Sequence, residues 1–225
     1  DGSVGEINAE RMLTMPKHDM MFGRLPQSHI NYLDSIESII NITWIDMLSM
    51  DINSMTENIP IFAVGGDYFE VMDRFKVPNE QEEAFYSNRT GALVGKTAAD
   101  IKGWKVGDHI SIPTFSAKND GSTEWEFDIV GIYTTNPAAD ELAIMVRYEY
   151  VEEARILNKG TVSMIGFNLD DPSKADKISN LIDENFKNSA YATFTGNEIA
   201  LSQKMLSDIG NIKFIITAII SAVFF

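Results

Sequence analysis

Hydrophobic positions along this chain recur with two periods, every second residue and every third to fourth, and the switches between them mark its elements. Arg11-Met12-Leu13-Thr14-Met15 reads as a short strand. Leu25 and Pro26 then open a helix, with the proline in the first turn where its missing N–H costs nothing. Ile30, Leu33 and Ile36 recur at helical spacing as its buried stripe. Ile39 to Met50, rich in Ile, Thr, Trp and Met, reads as a long strand, and Ile59 to Val64 as the next, closed by Gly65-Gly66. The same strand–helix–strand order returns later. Thr161 to Leu169 alternates loosely and stops at Asp170-Asp171-Pro172, where an aspartate cap and a preset proline φ start a helix. Ile178, Leu181, Ile182 and Phe186 form its apolar face, and Tyr191 to Phe194 follow as a short strand.

Between these units, residues 67–159 are richer in strand pattern. Gly91-Ala92-Leu93-Val94-Gly95 is a short buried strand, and Thr97 to Lys102 a short helix stopped by Gly103. Gly107-Asp108 makes a tight turn into the alternating run His109 to Pro113. Trp125 to Thr135 is a longer strand, preceded by a hairpin-type turn at Lys118-Asn119-Asp120-Gly121. Gly95, Gly103, Gly107 and Asp108 are the fold-defining turn residues. The pattern predicts an α+β protein: a split βαβ, porter-like subdomain from about residues 10–66 and 160–196, with a small β-rich subdomain, residues 67–159, inserted into it.

The last helix changes character along its length. Thr195-Gly196-Asn197-Glu198 fits a capping box, in which Thr and Glu satisfy each other's backbone N–H groups. Ile199, Met205, Leu206, Ile209, Ile212 and Ile216 keep one face apolar, and after Lys213 the helix is apolar all round. The run from Phe214 to Phe225, FIITAIISAVFF, has no charge and no proline. It spans roughly 18 Å as a helix, against roughly 30 Å for a bilayer core. It is expected to be the start of a transmembrane helix that continues past Phe225. Ile212, Lys213, Phe214, Ile215, Ile216, Ile219, Ile220, Val223, Phe224 and Phe225 are its membrane-entering residues, with Lys213 snorkelling back to the headgroups. The alternative is a C-terminal helix buried in a globular core. On the membrane reading, residues 1–209 form an extracytoplasmic domain and 210–225 the membrane segment. The polar opening DGSVGEINAE is not a signal peptide, so the exporting segment is expected upstream of Asp1.

Composition narrows the function classes. The 225 residues carry a net charge of −15, which repels phosphate backbones, so no nucleic-acid partner is expected. The chain has no cysteine, which excludes disulfides, thiolate catalysis and cysteine-based zinc sites. An acidic domain beside a membrane suits the outer face better than the cytoplasmic one. Gly91 to Thr97 looks like a phosphate loop but has three residues between its glycines where four are needed. His18, His29 and His109 have no companion at metal-ligand spacing and read as surface or capping residues. The adjacent acids Glu82-Glu83, Glu152-Glu153 and Asp170-Asp171 do not face one another on a helix and read as solvated faces or caps. The methionines at 12, 15, 20, 21, 47, 50 and 55 read as core packing. No catalytic, cofactor or metal site assembles from these residues.

Several segments carry a resemblance when taken in order. They are Leu25-Pro26-Gln27-Ser28-His29 with Ile36-Glu37 and Ile42-Thr43-Trp44; Gly65-Gly66-Asp67 with Tyr68-Phe69; Gly91 to Lys96; Gly103-Trp104-Lys105-Val106-Gly107-Asp108 with Ile110; and Phe127 to Ile132. With the capped helix at Thr195 running into an apolar span, they resemble the extracytoplasmic core domain of MacB/FtsX-type ABC transporter permeases. Trp44 is followed by Ile45-Asp46-Met47, where that family would have an aromatic residue and glycines. The resemblance implies a permease subunit of the inner (plasma) membrane with this domain on the periplasmic side, between the first two of four spans. It implies a cytoplasmic ABC ATPase that binds the ATP, a homodimer or paired permease, and lipid contact through the C-terminal helix. The chain itself would then be no enzyme and carry no cofactor. It would couple ATP hydrolysis to movement at the outer face, for export or extraction of a substrate. The alternative class is a ligand-sensing ectodomain of a transmembrane signalling receptor.

Overall fold

The computed structural model describes residues 11–20, 23–49, 59–136, 138–204 and 207. The strands are β1 (Arg11–Pro16), β2 (Leu25–Pro26), β3 (Ile39–Ser49), β4 (Ile61–Gly66), β5 (Gly91–Gly95), β6 (His109–Pro113), β7 (Glu124–Tyr133), β8 (Ile144–Arg147), β9 (Thr161–Val162), β10 (Met164–Leu169) and β11 (Thr193–Asn197). The helices are α1 (Ser28–Asp34), α2 (Tyr68–Val71), α3 (Asn79–Ser87), α4 (Lys96–Lys102), α5 (Tyr148–Ala154) and α6 (Ala175–Phe186), and residues 198–204 are also helical. Among the described residues, nine strands form one mixed sheet in the order β11-β1-β10-β3-β4-β8-β5-β7-β6, and β2 pairs with β9 apart from it.

Among the first four strands in that order, each is antiparallel to its neighbour. Hence β1 and β3 run parallel on either side of β10, and β10 and β11 run parallel on either side of β1. The chain from β1 to β3 carries α1, and that from β10 to β11 carries α6. Two interleaved split βαβ units result, which is the α+β arrangement predicted from the pattern. β4 then pairs antiparallel to β3, β8 parallel to β4, β5 antiparallel to β8, β7 parallel to β5 and β6 antiparallel to β7. The strands of residues 67–159 thus continue the same sheet.

Both faces of the sheet are covered, and alternate strand residues divide between two apolar clusters. Ile61 and Ala63 join one, Phe62 and Val64 the other. The first cluster takes in Leu33 of α1, Ala98 and Ala99 of α4, Val151 of α5, and Ile178 and Ile182 of α6. The second takes in Tyr68 and Val71 of α2, Phe85 of α3 and Leu201. A strand buried on both faces needs an unbroken apolar run, and every residue of β5 is buried. Gly95 ends that strand where no side chain fits, because a Cβ would lie 2.0 Å from the Glu141 carbonyl oxygen. Gly103 adopts φ +71° and closes α4 through its N–H to the Ala99 carbonyl. The Gly107 N–H donates to Ile129 at 2.8 Å, and the Asp108 carboxylate accepts the Lys105 N–H at 2.8 Å.

Some local expectations shift. Pro26 lies not in a helix but in β2, paired with Thr161, and the Gln27 N–H donates to Gly160 at 2.8 Å. That pairing holds the segment extended, so α1 begins at Ser28. His29 is buried rather than at the surface: its ring stacks on Phe186 with centroids 3.7 Å apart, and Nε2 lies 3.1 Å from the Tyr191 carbonyl oxygen. Leu181 is exposed, while Ile178 and Ile182 are the buried residues of α6 and Phe186 packs against the same core. Thr161 to Leu169 forms two strands, separated at Ser163, whose hydroxyl donates to Asp46 at 2.8 Å. The capping box does not form. Thr195 stays in β11 opposite Thr14, with its N–H and hydroxyl both bonded to the Asp183 carboxylate. Asn197 caps the helix instead, its Oδ1 accepting the Ala200 N–H at 2.9 Å.

Burial pushes the His29 pKa below 6.5, outweighing the Tyr191 carbonyl, which raises it. As pH falls through 6.5 the unfolded chain therefore takes up the proton first, and stability declines until the lowered folded value is passed. His29→Phe keeps the stack on Phe186 and is expected to remove this part of the decline, as read from melting temperatures at about pH 7.5 and about pH 5.5. Gly95→Ala is expected to destabilise the fold by about 3 kcal/mol through overpacking against Glu141, measured by urea unfolding.

Candidate functional site

β11 runs antiparallel to β1 and delivers Asn197 opposite Met12, so the helical residues 198–204 begin beside the first residue of β1. That residue, Arg11, is 2% exposed. Its Nε donates to the Val71 carbonyl at 2.6 Å, its Nη1 to Glu198 Oε1 at 3.0 Å and its Nη2 to the Asp73 carboxylate. The planar fork of a guanidinium allows one side chain to hold several acceptors at fixed angles. Arg74 reaches the same Glu198 oxygen through Nη1 at 2.5 Å, and its Nε lies 3.4 Å from Asp140 Oδ2. Burial alone would raise the Glu198 pKa, but Arg74 and Arg11 together outweigh it and hold the carboxyl below its ordinary value. Strand β1, the segment after α2 and the turn Ala138–Glu141 thus converge on the first helical residue beyond β11.

Next to this network is a cleft of about 270 Å³. Ile45, Phe62, Met145 and Met164 of the sheet line it with Phe75 and Tyr133, and Arg74, Asp140 and Glu198 form its charged edge. The Tyr133 hydroxyl is bonded to the carbonyls of Asp140 and Ala143. Each carboxylate of the network is committed to an arginine, so the arrangement can fix the helix against the sheet. Among the described residues no group of three or more His, Asp or Glu is placed to hold a metal.

The residues singled out in the sequence lie elsewhere. Gly95, Gly103, Gly107 and Asp108 sit along β5, α4 and the turn into β6. Gly210 and the membrane-entering residues, Ile212 to Phe225, lie outside the described residues, as do Met21, Met50 and Met55. Among the described residues, no helix is long and apolar enough to cross a membrane. His18 is exposed, and the exposed His109 bonds Asp128 at 2.8 Å. Sequence reasoning missed Arg11, Arg74, Asp140 and Glu198. A charged residue at the head of an apolar strand was the available signal for Arg11. Its partner Glu198 is 187 residues away, beyond any local pattern.

No family model matches the sequence, and no curated protein matches it. Solved structures do match. The periplasmic region of MacB from Actinobacillus actinomycetemcomitans aligns over 90% of this chain and 96% of its own, with a TM-score of 0.61 and 14% identity. The chain has the MacB periplasmic fold. The extracellular domain of the noncanonic ABC-type transporter YknZ from Gram-positive bacteria aligns over 83% of this chain and 98% of its own, with a TM-score of 0.53 and 12% identity. In this MacB-like fold, the charge network joins the first strand to the segment that follows the last one.

Arg11→Met would leave Glu198 with one guanidinium and Asp73 with none, and is expected to cost about 3 kcal/mol by denaturant unfolding, discounted for the exposure of Asp73. Because the folded pKa of Glu198 lies below 4.5, its contribution is fully present above that pH and is lost as pH falls through the lowered value. Glu198→Gln is expected to flatten this acid step in melts taken from about pH 6 to about pH 3.

Proposed function

We propose that this chain is the extracytoplasmic part of an ABC transporter permease subunit and that it couples ATP hydrolysis by a partner to movement at the outer face of the membrane. The observation that carries this reading is the MacB periplasmic fold, matched over 90% of the chain. Residues 1–209 form the outer domain, with 67–159 as its inserted part, and residues 210–225 enter the inner (plasma) membrane. A cytoplasmic ABC ATPase binds and hydrolyses the nucleotide; this chain holds no cofactor and performs no bond chemistry. Two permeases, identical or paired, place two such domains side by side, and the C-terminal helix contacts lipid.

The Arg11–Glu198–Arg74 network supplies a mechanical reason for the arrangement. A helix that tilts in the membrane moves the domain only if their joint is stiff. A half-buried, multiply bonded carboxylate at the root of that helix is such a joint, because breaking it strands the buried charge of Arg11. The acidic surface, with a net charge of −15, suits the outer side, where attraction to anionic lipid is not required.

The test is co-expression of the full-length protein with the ATPase encoded beside it, purification through a tag on either, and spin-label distances between paired outer domains with and without ATP. Co-purification and a nucleotide-dependent change in distance are expected. Glu198→Gln is expected to reduce that change while leaving ATP hydrolysis in place. Absence of both co-purification and movement overturns the transporter reading, and a signalling domain following Phe225 would replace it with the sensory one.

A further inference from the structure

A second charged cluster lies at the other end of the sheet. Arg11 is level with Asn41 across β10, and Asp46 is five residues further along β3, roughly 17 Å at strand rise. Here Asp46 is 2% exposed. Its Oδ2 accepts from both Arg24 and Arg155, and its Oδ1 accepts the Ser163 hydroxyl at 2.8 Å. Arg155 is also 2% exposed. It bonds the Glu152 carboxylate, the Thr161 carbonyl at 2.8 Å and the Tyr148 hydroxyl at 3.3 Å. Among the described residues its buried Nε has no hydrogen-bond partner. Two guanidiniums and two carboxylates make the cluster neutral.

The cluster is not sealed. Arg24, Asp46, Arg155 and Ser163 line an open cleft of about 390 Å³ with Asn158 and Phe115. Phe115 is 85% exposed, an unusual state for a phenyl ring beside a polar cavity. Asn158 adopts φ +62°, the conformation that only a few residue types visit readily. Burying the Asp46–Arg155 ion pair gains little over apolar packing of the same volume, so stability alone does not account for it.

We propose that this cleft binds a neutral carbohydrate. The balanced cluster leaves no net local charge to hold an ion, and the overall charge of −15 opposes anions. Hydrogen-bonding capacity remains on the cleft wall: the part-exposed Arg24 guanidinium, the Asn158 amide and the Ser49 and Ser116 hydroxyls offer the mixed donors and acceptors that neighbouring sugar hydroxyls require. The Phe115 ring supplies an apolar surface for the C–H face of a sugar ring. The cleft falls in the size range of small-ligand sites, roughly 300–1,000 Å³. Asp46 and Arg155 are already held in place by their bonds, so binding needs little ordering of side chains. The proposal is independent of the transport reading, since it concerns only what the cleft recognises.

The 225-residue chain, kept in a sugar-free detergent, is titrated with chitotriose, maltotriose and cellotriose by calorimetry. At least one is expected to bind with a Kd below about 10 mM. Phe115→Ala and Asn158→Ala are each expected to weaken that binding by about tenfold, with the melting temperature of Phe115→Ala unchanged because its ring is exposed. No binding of any of the three sugars overturns the proposal. So does sugar binding that neither substitution alters, or a cleft that takes acetate or phosphate and no sugar.

Discussion

The guanidinium of Arg11 reaches three segments at once: the end of α2 through Val71, the turn after it through Asp73, and the start of the C-terminal helix through Glu198. Its burial makes these bonds matter, because without them the guanidinium itself would be an uncompensated charge in a water-poor setting. Arg74 doubles the hold on Glu198 and carries it across to Asp140. The helix at 198–204 is consequently fixed to the sheet by charge as well as by the single buried Leu201. Apolar contacts alone tolerate sliding, whereas a forked, bonded pair defines an angle.

That joint acts on a sheet that is continuous from β11 to β6. The parallel pairing of β4 with β8 carries the split βαβ units into the strands of residues 67–159, and both faces remain packed across this seam through Ile61, Ile144, Val64 and Met145. Close-packed interiors transmit displacement rather than absorb it. Glu198 and the end of β3 that holds Asp46 are thus joined through one continuous packed sheet.

Much of the fold was legible in the chain because its elements are set by short-range chemistry. The β5–α4–β6 stretch follows from an apolar run bounded by glycine, a helix stopped at Gly103 and a turn at Gly107, all within about twenty residues. The start of α6 was equally local, with the Asp171 carboxylate accepting the Ser173 N–H ahead of Pro172–Lys174. What failed depended on partners distant in sequence. Pro26 was drawn into β2 by Thr161, His29 was buried by Phe186, and Thr195 was held in β11 by Asp183 and Thr14. The charge network was invisible for the same reason. Arginines and carboxylates in a linear sequence carry no mark of which will meet, and Arg24, Asp46 and Arg155 are brought together from three separate regions.

The bond from the Thr195 N–H to Asp183 has a bearing on solubility. β11 is an outer strand of the sheet, and an outer strand with free donors is a template for another chain. The Asp183 carboxylate occupies that donor and brings a negative charge to the rim. An incoming strand would have to displace a charged acceptor to gain one neutral bond. At this position the rim of the sheet is therefore guarded against edge-to-edge stacking.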